Sequence, residues 1–125
     1  CIGERLYTRF DFLPVLQAKL VEYIMPDVTW AGGISELKKI STLAETFHIP
    51  ISPHDAGGPV NIAAGAHVMA TIPNFFKLEI ARARLALYDR MMDQVFDIPD
   101  GHLHLSNRPG LGFRMDKEFL QKHKI

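Results

Sequence analysis

Four short apolar runs recur along the chain at nearly constant intervals, and each is closed by an ionisable residue. Glu4, Asp27, His54 and Glu79 close them, at intervals of 23, 27 and 25 residues. Between the runs lie segments of helical period. Leu37, Ile40, Leu43, Ala44 and Phe47 follow it closely, with Lys38, Lys39 and Glu45 elsewhere on the wheel. Asp11 is a candidate N-cap, followed by Phe12, Leu13, Leu16 and Leu20, with Pro14 tolerable only in a first turn. Pro59 suits the first position of a third helix, Val60 to Thr71, which is apolar on nearly every face. The order is β-α-β-α-β-α-β, with strands expected at Cys1-Ile2-Gly3, at Tyr23-Ile24-Met25, from Ile49-Pro50-Ile51 to an end at Pro53-His54, and at Phe75-Phe76-Lys77-Leu78. Strands alternating with helices imply a parallel α/β sheet. The four ionisable residues then fall along its C-terminal edge, where α/β proteins place their active sites.

The third helix raises a packing question. A helix apolar all round must be covered on more than one side, so the expectation is that either neighbouring units are missing or a subunit interface covers it. The last third changes character. Ala81 to Phe96 reads as a helix or a loosely ordered stretch, His102 to Leu105 as a half-buried strand, and Asp116 to His123 as a short capped helix.

Charge narrows the function. With 14 basic and 14 acidic side chains the formal net charge is zero. That disfavours a general nucleic-acid or anionic-membrane partner. Cys1 is the one cysteine, so no intrachain disulfide is expected. No apolar run approaches the roughly 20 residues that span a bilayer, and no signal peptide is visible, which points to a cytoplasmic protein. The chain opens on an apolar stub without an initiator Met and reads as cut from something longer.

The motifs Ile2-Gly3-Glu4-Arg5, Met25-Pro26-Asp27-Val28, Ala31-Gly32-Gly33-Ile34, Ile51-Ser52-Pro53-His54, Leu78-Glu79 and Pro109-Gly110-Leu111-Gly112, in this order and spacing, resemble the C-terminal part of the enolase superfamily. The match is to the mandelate racemase subgroup, which includes acid-sugar dehydratases. The resemblance implies the C-terminal half of a (β/α)8 TIM-type barrel with a closing tail, with barrel units over residues 1–97 and the tail over 98–125. It also implies a Mg²⁺-dependent enzyme acting on a small-molecule carboxylate. Glu4 would be the third carboxylate ligand of the metal, His54 the general base or acid, Asp27 its hydrogen-bonding partner, and Glu79 would face the substrate carboxylate. The chemistry agrees. Removing a proton α to a carboxylate builds charge on two oxygens, which calls for a hard cation and a base poised near neutrality. The reaction expected is dehydration of a sugar acid or polyhydroxy acid through an enediolate. A racemase or epimerase is the alternative within the class. A non-catalytic half-barrel that self-associates is the alternative outside it. A full barrel needs roughly 250 residues, so this chain alone is expected to be incomplete and inactive, and a homo-oligomer is expected.

The remaining features have simpler explanations. Trp30 and Asp55 flank the expected site and are candidates to line the substrate pocket. His102 and His104 lack a third metal ligand nearby. His67 reads as a hydrogen-bonded packing residue and His48 as a helix-end cation. Gly32-Gly33 and Gly57-Gly58 read as tight turns. Arg82, Arg84 and Arg90 read as a solvated face, and the Cys1 thiol as packing.

Overall fold

The computed structural model describes residues 1–124; Ile125, the last residue of the expected tail, lies outside them. The parallel order expected from the sequence is present. Ile2 pairs with Ile24, Ile24 with Ile51 and Ile51 with Phe75, all in parallel. Met25 N–H donates to Ile2 O (2.8 Å), Ser52 N–H to Ile24 O (2.9 Å) and Phe76 N–H to Ile51 O (2.9 Å). The strands are shorter than expected. Each is a single paired residue, and no longer strand forms among the described residues. Proline is the reason. Pro26 and Pro53 lie two residues beyond Ile24 and Ile51, and neither has the N–H that would donate the next ladder bond. Beyond the prolines the chain still pairs, since His54 N–H donates to Pro26 O (3.1 Å) and Glu79 N–H to Pro53 O (3.2 Å). The ladder therefore reaches the residues at the C-terminal edge.

Helices α1 (Thr8–Gln17), α2 (Ile34–Thr46) and α3 (Pro59–Met69) connect the four strand positions. α1 begins three residues before Asp11, which is therefore not its N-cap. Asp11 instead reaches back to accept from the N–H of Tyr7 (2.9 Å). Pro14 consequently falls in the second turn, where it deletes the bond to Phe10 O. Glu36 in the first turn of α2 ties that helix to α1, accepting from Arg9 N–H (2.8 Å) and from its guanidinium (2.8 and 2.6 Å). The backbone donor of Arg9 is the main reason that the Glu36 pKa lies below the usual carboxylate value. The main core joins Phe12 and Leu16 of α1, Leu37, Ile40 and Ala44 of α2, Ala64 and Val68 of α3, and the strand residues Ile24 and Ile51.

The cover of α3 corrects the expectation from sequence. Nine of its eleven residues are buried by this chain itself. Ala64, Val68 and Met69 face the main core. Ile62 faces a second cluster with Tyr88 and Met92, flanked by Leu78, Leu85, Phe96, Leu103, Phe113 and Met115. The last third of the chain thus folds back over the helix. In it, Ala81 to Phe96 is one 3-10 turn (Arg82–Arg84) followed by the short α4 (Leu85–Arg90). The expected strand at His102–Leu105 is a single antiparallel pairing of His104 with Asp97. Helix α5 (Lys117–Lys122) is capped by Asp116, which accepts from Phe119 N–H (2.9 Å).

Asp93 fastens this returning segment. It accepts from Arg108 Nη2 (2.6 Å) and Nη1 (3.1 Å) and from Arg114 N–H (2.8 Å). The Arg108 bonds come first among the causes that lower its pKa to about 2. Because the folded value lies below the ordinary 3.8, the contribution of the pair is complete above that pH and is lost as pH falls through about 2. A ¹³C carboxyl titration should place the Asp93 midpoint near 2; a midpoint at 3.8 would mean that the latch is open in solution.

Candidate active site

The site is assembled by the turns that follow the four strand positions. Asp27 is 1% exposed, a burial that by itself would push its pKa up. Its donors prevail. Oδ1 accepts from Thr29 N–H (2.8 Å), Thr29 Oγ1–H (2.6 Å) and Trp30 N–H (3.2 Å). Oδ2 meets His54 Nδ1 (3.0 Å) and accepts from Asn61 Nδ2 (3.2 Å). Together the bonds from Thr29, His54 and Trp30 hold Asp27 below its ordinary value, so it stays ionised in the interior. An ionised Asp27 accepts the proton on His54 Nδ1, which fixes the ring and points Nε2 outward.

The outward nitrogen meets two more carboxylates. Nε2 lies 3.2 Å from Glu4 Oε2 and 3.9 Å from Glu79 Oε2. The structure therefore brings Glu4, Asp27, His54 and Glu79 around one imidazole, from runs spread over 75 residues of sequence. Glu4, His54 and Glu79 line a cavity of about 430 Å³, together with Arg5, Met25 and Cys1. The Cys1 thiol, expected to pack, is exposed there.

Trp30 and Asp55 do not line this cavity. Trp30 is half exposed and stacks on Tyr7, with centroids 6.2 Å apart. Asp55 is buried; its Oδ2 accepts from Ala81 N–H (3.1 Å) and its own N–H donates to Glu79 Oε2 (3.0 Å). It orients Glu79 from behind. Arg84 is exposed, as expected, and from there donates to Ala56 O (3.1 Å), tying the same two turns together. Thr29 and Asn61 were not singled out in the sequence. The available signal was Asn61 itself, which with His67 is one of two polar side chains in a helix of apolar residues and needs a buried partner.

A divalent cation needs six or more oxygen ligands, several of them fixed by protein carboxylates. Glu4 is 56% exposed at its side chain and fits one such ligand. Among the described residues, however, no group of three His, Cys, Asp or Glu side chains could hold a metal ion. Of the carboxylates such a site needs, the described residues offer Glu4. Titration calorimetry of the 125-residue chain with Mg²⁺ is accordingly expected to show no micromolar binding, and a micromolar isotherm would refute this.

Among the described residues no helix is long and apolar enough to cross a membrane. Residues 1–119 match the family model described as enolase C-terminal domain-like. The chain is 32% identical over 124 residues to D-xylonate dehydratase of Haloferax volcanii, covering 99% of this chain and 30% of that protein. It is 35% identical over 121 residues to D-gluconate/D-galactonate dehydratase of Picrophilus torridus, covering 97% and 31%. The chain thus spans less than a third of these relatives. Among solved structures, a mandelate racemase/muconate lactonizing enzyme-like protein from Rubrobacter xylanophilus superposes with a TM-score of 0.89 at 39% identity, over 98% of this chain and 32% of that one. An enolase from Agrobacterium radiobacter with bound Na and L-malate gives 0.86 at 34% identity, over 96% and 34%.

Proposed function

The chain belongs to the enolase C-terminal domain-like family, and from that membership we propose that it carries the base of a site that dehydrates sugar acids. The observation that carries the reading is the imidazole of His54, held from behind by a buried, ionised Asp27 and facing a cavity with Glu4 and Glu79. The names of the relatives, dehydratases of xylonate, arabinonate and galactonate, support the substrate class.

In the proposed reaction His54 Nε2 takes the proton α to the substrate carboxylate. The electron pair of the broken C–H bond forms the enediolate. Loss of the β-hydroxyl as water, with a proton from a site acid, then leaves an enol that tautomerises to a 2-oxo acid. Asp27 holds the Nδ1 proton and stabilises the imidazolium as it forms. Glu79 faces the substrate carboxylate, its orientation set by the Asp55 N–H. Glu4 would give one oxygen ligand to Mg²⁺, whose Lewis acidity would offset negative charge growing on the substrate. In this reading residues 1–97 are the last four βα units of a (β/α)8 barrel and 98–125 its closing tail.

The test is a screen of acid sugars against the complete native protein, in D2O with Mg²⁺ present. Formation of a 2-oxo acid is expected from at least one 2,3-dihydroxy acid. α-Deuteration without loss of hydroxyl would replace dehydration by racemisation or epimerisation. Neither product nor exchange from any acid would overturn the reading.

A further inference from the structure

Asn61 lies in the first turn of α3 and is not among the residues that line the cavity. It is 2% exposed, and its Nδ2 donates to two acceptors, Asp27 Oδ2 (3.2 Å) and the His54 backbone O (3.0 Å). Both neighbours are acceptors, so the amide can point only its NH2 group at them. Its own Oδ1 is buried without a partner, a cost tolerated to keep both donors in place. The approach is tight. A Cβ on Gly57 would stand 3.0 Å from Asn61 Cβ and 3.1 Å from its Cγ, so a side chain at Gly57 would push the amide away.

We propose that Asn61 is a positioning residue that clamps both members of the pair at once, the carboxylate of Asp27 and the backbone of His54, and so sets where Nε2 stands in the cavity. The other donors to Asp27 do not have this reach. Thr29 and Trp30 bind Oδ1 and lie in the same turn as Asp27, so they order the carboxylate alone. Asn61 links the turn after the second strand position to the turn after the third and fixes one relative to the other. The consequence for the reaction rests on His54 being the working base, as proposed above.

The experiment compares Asn61→Leu with Thr29→Val in protein ¹⁵N-labelled at histidine. In the unaltered protein the His54 Nδ1 proton, directed at buried Asp27, should give a downfield resonance in slow exchange with water. Thr29→Val should retain it. Asn61→Leu should lose it or accelerate its exchange at least tenfold. Asn61→Ala, which brings in no bulkier group, gives the same reading if leucine prevents folding. On a substrate that shows α-proton exchange, Asn61→Leu should lower kcat at least tenfold with KM nearly unchanged, because Asn61 does not touch the cavity. Retention of the resonance in the Asn61 variants, equal loss in Thr29→Val, or unfolding of both Asn61 variants would overturn the proposal. If no substrate exchanges, the proposed function fails, while the resonance still decides the role of Asn61.

Discussion

Replacing His54 with Asn is expected to lower α-proton exchange on the face that His54 serves by about 10³-fold, within the range for loss of a positioned general base. Asn keeps the backbone bond from residue 54 to Pro26 O and fills part of the same space. What it lacks is a nitrogen that can take a proton at the Nε2 position. Asp27 would retain its donors from Thr29, Trp30 and Asn61, so its carboxylate would not be stranded. The variant should therefore fold, and the loss should appear in the rate. Deuterium incorporation at Cα in D2O, followed by mass spectrometry in the complete native protein, is the measurement. Exchange within a few-fold of the unaltered rate would remove His54 from the reaction.

Gly3→Ala is expected to destabilise the protein by about 3 kcal/mol, from strain and overpacking together. Gly3 has φ +141°, and a Cβ there would stand 2.8–2.9 Å from the backbone C, N and O of Met25. Those atoms are not a flexible side chain that can swing aside. Met25 N–H is already spent on Ile2 O at 2.8 Å, so relief requires separating the first two strand positions. Glu4 would move with them, away from His54 Nε2. Gly33→Ala is the control, because Gly33 also has positive φ (+90°) but has nothing within 4 Å of its Cβ position. It should cost about 1–2 kcal/mol, for conformation alone, since φ +90° with ψ −176° is a region that only glycine enters freely. Denaturant midpoints at constant slope would measure both. Equal losses would show that the close approach at Gly3 carries no energy.

Much of this architecture is legible in the residues. Local patterns report local structure, and the 3.6-residue period over Leu37, Ile40 and Ala44 locates α2 within a few positions. Asp116 announces its helix because a cap is a contact between near neighbours. Element ends are less visible. α1 starts before Asp11 because the Asp11 carboxylate reaches back to Tyr7, a geometry that the cap pattern does not distinguish. The strands shrink to single pairings because proline subtracts donors at the edge where the motifs sit, which a reading of apolar runs alone misses. The fate of α3 was beyond local reading. Its cover comes from Tyr88, Met92, Phe113 and Met115, up to about fifty residues away, and no periodicity within the helix announces them.

The candidate site divides in the same way. Regular spacing of Glu4, Asp27, His54 and Glu79 follows from chain length alone, since each strand, helix and two turns consume about the same number of residues. Parallel pairing then brings them to one edge, so their meeting was readable before any coordinates. Their supports were not. Asn61, Asp55 and Arg84 act through bonds between turns that are adjacent in space and separated in sequence, and Trp30 turns to stack on Tyr7 instead of lining the cavity. Periodicity and spacing record what each segment buries along its own axis; which polar atom meets which across two turns depends on distances of a few tenths of an ångström, and those exist only once the segments have packed.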